Sequence, residues 1–306
     1  MKRYIIKRII TAIVIVFITA TLTFLLMKIT PGSPFNSEKL TADQQAVMNA
    51  KYGLDQPLIV QYGRYLGNLL RGDMGDSMKI QKGSAVSDII ATSFPVSAGV
   101  GGIAIILSIV IGIPLGCWSA LRRGKAADNV IRVFSTTGIA MPSFVLASLL
   151  LTIFSINLRA LPSYGLETPA AYILPVISLA LYPMCYIARL TRSGMLEALG
   201  NDYIRTARAK GMSERSITFK HALRNSLIPV ITYVGPMVAY TVSGTFVVEK
   251  IFNIPGLGRF FVKSIENLDY PLIMGTTVFL AVIITVMMLV CDLLYVVVDP
   301  RIKLDD

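Results

Sequence analysis

Asp202–Pro229 reads DYIRTARAKGMSERSITFKHALRNSLIP, a basic and helix-prone stretch in a chain that is otherwise mostly apolar. Uncharged runs flank it, Ile173–Ala188 before and Leu227–Val248 after. Eight Lys/Arg fall between Arg189 and Arg224, against Glu197, Asp202 and Glu214. Charge of that density does not enter a bilayer, and positive loops face the cytoplasm. The local chemistry predicts two short helices. Asp202 is a suitable N-cap for Tyr203–Lys210, and Gly211 can take the left-handed conformation that ends a helix. Ser213 then caps a second helix that starts at Glu214 and runs toward Pro229. A polar helical hairpin held beneath apolar spans is a docking element for a partner on that side.

Composition fixes the class around it. Hydrophobic residues make up 54% of the chain and charged residues 15%, with a mean hydropathy of +0.65. A soluble domain carries about 25% charged residues, so this chain has too little polar surface for water. The net charge of +11 would suggest nucleic acid if it formed one patch. Here the basic residues cluster at the ends of apolar runs, and the hairpin offers only Tyr203 and Phe219 for base stacking, so no nucleic acid is expected. Cys117, Cys185 and Cys291 lie in or beside apolar runs with no CxxC pair, and His221 is the one histidine. The cysteines read as small buried apolar residues, and neither a metal site nor a cofactor is expected. His221 reads as a polar residue on the exposed face of a helix.

Taken in order, the chain predicts an all-α, polytopic membrane protein with six transmembrane helices. Four basic residues in MKRYIIKR precede Ile9–Met27, which carries no charge and is long enough to cross a core of ~30 Å at ~1.5 Å per residue. A run of this length without a small-residue cleavage site reads as a span rather than a signal peptide. Residues 30–94 form a polar outer insertion in which Leu58–Leu70 has an amphipathic stripe, followed by the turn-rich GDMGDS. The remaining spans are Ser97–Leu121, Val130–Ile156 interrupted by Pro142, Ile173–Ala188 kinked by Pro175 and Pro183, Leu227–Val248 and Leu272–Val298. Gly112 and Gly116 give the second span a small-xxx-small face for close packing. The expected divisions are 1–94 (first helix and external insertion), 95–299 (the membrane domain that holds the other five spans) and 300–306 (cytoplasmic tail).

Charge orients this topology. It assigns 18 of the 29 Lys/Arg to the inside against eight acids, and 11 to the outside against ten. Most of the outside basic residues lie in the long 30–94 loop, where the rule has little force. Both termini are therefore expected in the cytoplasm.

Chemistry of other kinds is missing from the sequence. Intramembrane catalysis needs a nucleophile with a base, or paired carboxylates, at similar depth, and Asp292 is the one acid well inside a span. No Walker A motif occurs, so the chain has no P-loop for ATP, and no catalytic residue is assigned. An ion-coupled secondary transporter, the alternative from another class, would need coupling residues at mid-membrane and an inverted repeat. Neither is found.

The hairpin resembles the cytoplasmic EAA loop of membrane permeases in binding-protein-dependent ABC importers. With the family glycine on Gly211, Arg205-Thr206-Ala207 fall under E-A-A, and His221-Ala222-Leu223-Arg224 fall under I-x-L-P. The glutamate and proline of the general pattern are thus replaced, and the form is similar to the oligopeptide, dipeptide and nickel branch. YGLDQPLIVQYGRYLGNLLRGDMGDS (Tyr52–Ser77) resembles the outer insertion of that branch's B-type subunit, and IFNIPGLGRFFVKSIENLDYP (Ile251–Pro271) resembles its last outer loop.

That resemblance implies a type I importer permease of a prokaryotic cell membrane. Its partners would be a homologous second permease, two ABC ATPase subunits and an extracellular solute-binding protein, with the lipid bilayer around it. The cargo implied is peptide, with nickel as the alternative within the branch. It also implies that the short helix near Tyr203–Met212 sits in a groove of an ATPase. The coupling residues expected are Tyr203, Arg205, Ala207, Arg208, Ala209, Lys210, Gly211, Met212, Glu214 and Arg215. Pro142, Ser143, Tyr182, Pro183, Pro236 and Tyr240, at breaks in the spans, are the expected path residues.

Overall fold

The computed structural model describes residues 2–30 and 41–298. The expected tail at 300–306 lies outside the described residues. Those residues form helices α1 (Lys2–Ile29), α2 (Ala42–Tyr52), α3 (Leu58–Leu70), α4 (Val86–Leu121), α5 (Ala126–Ala140), α6 (Ser143–Leu150), α7 (Ile173–Gly200), α8 (Asp202–Ala209), α9 (Glu214–Ser216), α10 (Arg224–Ser226), α11 (Ile228–Gly244), α12 (Phe246–Ile251), α13 (Leu257–Asn267) and α14 (Tyr270–Val298). Single π-helical segments follow α6 (Leu151–Asn157) and join α9 to α10 (Ile217–Leu223). The described part of the chain is all-α.

Among the described residues, four helical stretches are long and apolar enough to cross a membrane: Ile6–Ile29, Val86–Leu121, Pro169–Gly200 and Tyr270–Asp292. The third expected span is a broken pair, α5 and α6 with the π segment, bent by 102°. Pro142 explains the break. It has no amide hydrogen to continue the ladder, and it pushes the preceding Met141 to extended φ/ψ of −88° and 116°. The fifth expected span is a shorter apolar helix, Ile228–Thr241. By contrast α7 does not stop at Ala188 but runs to Gly200, carrying Arg189 and Arg192 on its extension.

The chain divides into two compact units. The first comprises Met1–Ser97 and Pro255–Val286. In it α3 packs along α1, with the Tyr62 and Tyr65 rings 5.3 and 5.8 Å from Phe24, and Tyr62 hydrogen-bonded to Thr21 at 2.7 Å. That contact takes up one apolar face of the predicted amphipathic helix. Leu58, Ile59 and Leu70 remain exposed. Helix α2 has no counterpart among the sequence expectations. It is held by a capping box in which Thr41 and Gln44 satisfy each other's backbone amides.

The second unit, Ala98–Ile254 with Met287–Asp306, holds the hairpin. Its centre is α7, which neighbouring helices approach at glycines. A Cβ on Gly112 would stand 2.8 Å from the Met184 carbonyl oxygen, and one on Gly116 would fall on that of Ala188. The small-xxx-small face of α4 is thus used against α7. Gly138 of α5 lies against the Cys185 sulfur in the same way, and Gly194 lies against the Ser226 backbone. All three cysteines are buried and free.

Candidate functional site

The hairpin is built much as its local chemistry dictates, with one correction at its start. Asn201, not Asp202, is the N-cap residue, with extended φ/ψ of −77° and 151°; Asp202 is the first helical residue. A carboxylate in the first turn still meets the positive end of the helix dipole. It lies 3.5 Å from Arg205. At the other end Gly211 has φ +75°. Its amide donates to the Arg208 carbonyl at 2.9 Å, and that of Met212 donates to the Ala207 carbonyl at 3.2 Å. This is a Schellman ending, which needs a left-handed residue at Gly211. Ser213 then caps α9 by accepting from the Ser216 amide at 3.3 Å.

Helix α8 has two faces with different tasks. Ile204 and Ala207, three residues apart, are buried with Cys117 and Ala120 of α4, Met195 and Ala198 of α7, and Ile217 and Ala222 of the π segment. Met212 packs against the edge of this cluster. Tyr203, Arg205, Arg208, Ala209, Lys210, Gly211, Glu214 and Arg215 are exposed. So eight of the ten expected coupling residues form one exposed surface, while Ala207 and Met212 seat it on the bundle. No atom lies within 4 Å of where a Gly211 Cβ would stand, which leaves the turn open to an incoming chain.

Polar contacts brace the hairpin. Arg208 grips Glu214 through two hydrogen bonds of 2.8 and 3.2 Å, joining α8 to α9 across the Gly211 turn. The pairing holds the Glu214 carboxyl below its ordinary range and raises the Arg208 guanidinium. Asn225 donates to the Tyr203 hydroxyl at 3.0 Å. His221 does not stand on an exposed helix face as expected. It is half-buried in the π segment, with Nε2 buried and without a hydrogen-bond partner. The packing of Ile217 and Ala222 into the seat draws this turn inward.

The six expected path residues line a single cleft of about 460 Å³ in the second unit. Pro142 and Ser143 come from the α5–α6 break, Tyr182 and Pro183 from α7, and Pro236 and Tyr240 from α11. Each proline removes an amide from its ladder, so bends and freed carbonyls concentrate where the three helices meet. Met141, Tyr233, Met237 and Thr241 complete much of the wall, which bears no charged side chain. Tyrosines continue from it toward the hairpin. Tyr186 stacks with Tyr182 at 6.2 Å and contacts Tyr233 at 4.3 Å, and the Arg189 guanidinium lies over Tyr186 at 5.0 Å.

One pairing near the hairpin has no precursor in the sequence expectations. Asp128, in the first turn of α5, is fully buried and takes a bidentate grip from Arg192 of α7 at 2.7 and 2.9 Å. The Ser119 hydroxyl and the Gly124 amide fill its remaining acceptor sites at 2.6 and 2.9 Å. Sequence supplied only the charges, because the partners are 64 positions apart.

Comparison with known proteins shows the family. Residues 112–304 match the pattern of the binding-protein-dependent transport system inner membrane component, and residues 1–101 match the N-terminal region of the same kind of membrane component. The chain belongs to this family. A curated relative, the dipeptide transport system permease protein DppB of Bacillus subtilis (strain 168), is 48% identical over 305 residues, 99% of each chain. The oligopeptide transport system permease protein OppB of Salmonella typhimurium is 40% identical over 306 residues, 99% of this chain and 100% of that one. Among solved structures, an inward-facing MetNI methionine ABC transporter chain superposes with a TM-score of 0.55 at 16% identity, over 69% of this chain and 96% of that chain. A chain of an amino acid ABC transporter gives 0.54 at 17%, over 71% and 95%. At such identities these two likenesses concern the fold alone. As a member of the family, the chain is a multi-pass inner-membrane component whose hydrolytic partner is a separate subunit.

Proposed function

We propose that this chain is a permease subunit of an ATP-driven importer of peptides. The observation that carries the reading is the near end-to-end similarity to permeases named for dipeptide and oligopeptide transport. The cleft suits such a cargo. A neutral wall of tyrosine, methionine, serine and threonine can hydrogen-bond peptide groups and cover apolar side chains without selecting a charge. A path for nickel would call for imidazole or thiolate ligands, and the lining offers none.

In this reading the chain pairs with a homologous permease, two ATPases and an external solute-binding protein, with both of its termini in the cytoplasm. Residues 1–94 supply the first helix and the external insertion, and 95–299 supply the permease domain. The exposed face of α8, with Gly211, Glu214 and Arg215, lies in a groove of one ATPase. Closure of the ATPase pair pushes α8, and the apolar seat passes that push to α4 and α7. Binding-protein docking and nucleotide each favour one of two arrangements of the bundle, which is how ligands at separate sites become coupled.

Uptake of a labelled dipeptide and a labelled tetrapeptide into cells that carry the whole transport system tests the reading, with radioactive nickel as the parallel cargo. ATP-dependent accumulation of peptide, lost when this subunit is deleted, is expected. Accumulation of nickel alone would overturn the choice of cargo.

A further inference from the structure

Helix α5 and helix α7 both line the cleft, through Ile139 and Ala140 on one and Leu179, Tyr182 and Pro183 on the other. They are pinned together at two levels. One is the approach of Gly138 to Cys185. The other, nearer the hairpin, is the Asp128–Arg192 pair. On α7, Arg192 stands between the cleft residues and Met195 and Ala198 of the seat that holds α8. It is therefore on the line along which any displacement of α8 travels to the cleft.

The carboxylate is saturated. Oδ1 accepts from Ser119 and Arg192 Nε, and Oδ2 accepts from Gly124 and Arg192 Nη2. Four donors from α4, the following turn and α7 thus converge on the start of α5. Two parallel bonds from a planar guanidinium fix direction as well as distance, which a point charge does not. A buried ion pair is weak evidence for stability, since well-packed apolar residues serve as well; its best-attested use is to fix register.

We infer that Asp128 and Arg192 are positioning residues for energy coupling. They lock α5 to α7, so that displacement of α8 moves both cleft walls as one plate and the bend falls at Met141–Pro142. Neither residue lies on the exposed face of α8 or in the cleft lining. This rests on the permease reading given above.

The test uses the whole complex in proteoliposomes with its binding protein, and reads peptide imported per ATP hydrolysed. Arg192→Lys keeps the charge and loses the fork, Asp128→Asn keeps the shape and loses the charge, and Ser119→Ala leaves the pair intact with one donor fewer. For the first two, import per ATP should fall about tenfold with ATP turnover and peptide affinity of the binding protein retained; for Ser119→Ala the fall should be about two- to threefold. Wild-type import per ATP in assembled Arg192→Lys complex would overturn the inference. So would variants whose assembly falls while every complex that assembles couples normally, because that is what a merely structural pair would give. Failure of the wild-type complex to import any peptide would instead strike the functional reading, and the coupling ratio separates the two.

Discussion

The Ser77 hydroxyl donates to the carboxylate of Asp269 at 2.6 Å across 192 positions of sequence. The amides of Met78, Lys79 and Ile80 each donate to the same carboxylate at 3.0 Å. Asp269 is fully buried and immediately precedes α14, so this cradle fastens the inserted loop to the start of the last helix. Within the first unit it is the counterpart of Asp128 in the second. Both are buried carboxylates saturated by loop amides, a hydroxyl or a guanidinium, and both tie segments far apart in the chain.

Asp269→Ala would leave the buried Met78 amide and Ser77 hydroxyl, and the half-buried Lys79 and Ile80 amides, without this acceptor, at about 1–3 kcal/mol for each group that water cannot reach. The expected result is faster proteolysis within residues 77–83 in membrane vesicles, with insertion of the spans unchanged. Equal protease resistance in the variant and the wild type would remove the cradle's structural role.

Gly116→Val should be poorly tolerated, because its Cβ would fall on the Ala188 carbonyl and press on Thr191. Forced separation of packed helices costs about 1–3 kcal/mol. Thermal stability of the detergent-solubilised complex should drop for Gly116→Val and stay near wild type for Gly102→Val, where no atom lies within 4 Å.

Much of the hairpin was legible because its determinants are local. A glycine at the C′ position, a serine three residues before the amide it accepts from, and the spacing of apolar residues in Leu58–Leu70 act over one or two turns. Helix α2 carried such a signal too, in Thr41 followed by Gln44, although its polar composition hid it. The start of α8 was misplaced by one residue because Asn and Asp are both good caps and stand side by side at 201 and 202. The Asp128–Arg192 and Ser77–Asp269 contacts were beyond reach for a different reason. Nothing in either segment selects its partner until the fold brings them together, and a lone acid in a first helical turn looks like any other.

Gly211→Val tests the turn apart from its surroundings. Space for the side chain is open, so the penalty comes from φ +75°, about 1–2 kcal/mol for a residue with a Cβ. The end of α8 should fray, lowering import while membrane insertion and complex abundance persist. Normal import by the valine variant would count against α8 as the docking element.

The Arg208–Glu214 brace has a definite pH signature. Its pairing depresses the Glu214 carboxyl, so the contribution is present above the ordinary glutamate pKa and is lost as pH falls through the depressed value. Coupling should therefore be flat across the neutral range and decline only in acid. Glu214→Gln should lose that acid limb in a plot of import per ATP against pH; an unchanged acid limb would assign it to another group.

The most direct measurement places a single cysteine on the exposed face of α8, as Lys210→Cys, in the assembled complex, where the native cysteines are buried. A short bifunctional reagent should join it to the ATPase subunit, with a yield that changes between nucleotide-free and ATP-bound states. Reaction with an impermeant reagent from outside the cell, or a complex in which position 210 joins no ATPase in either state, would contradict the account.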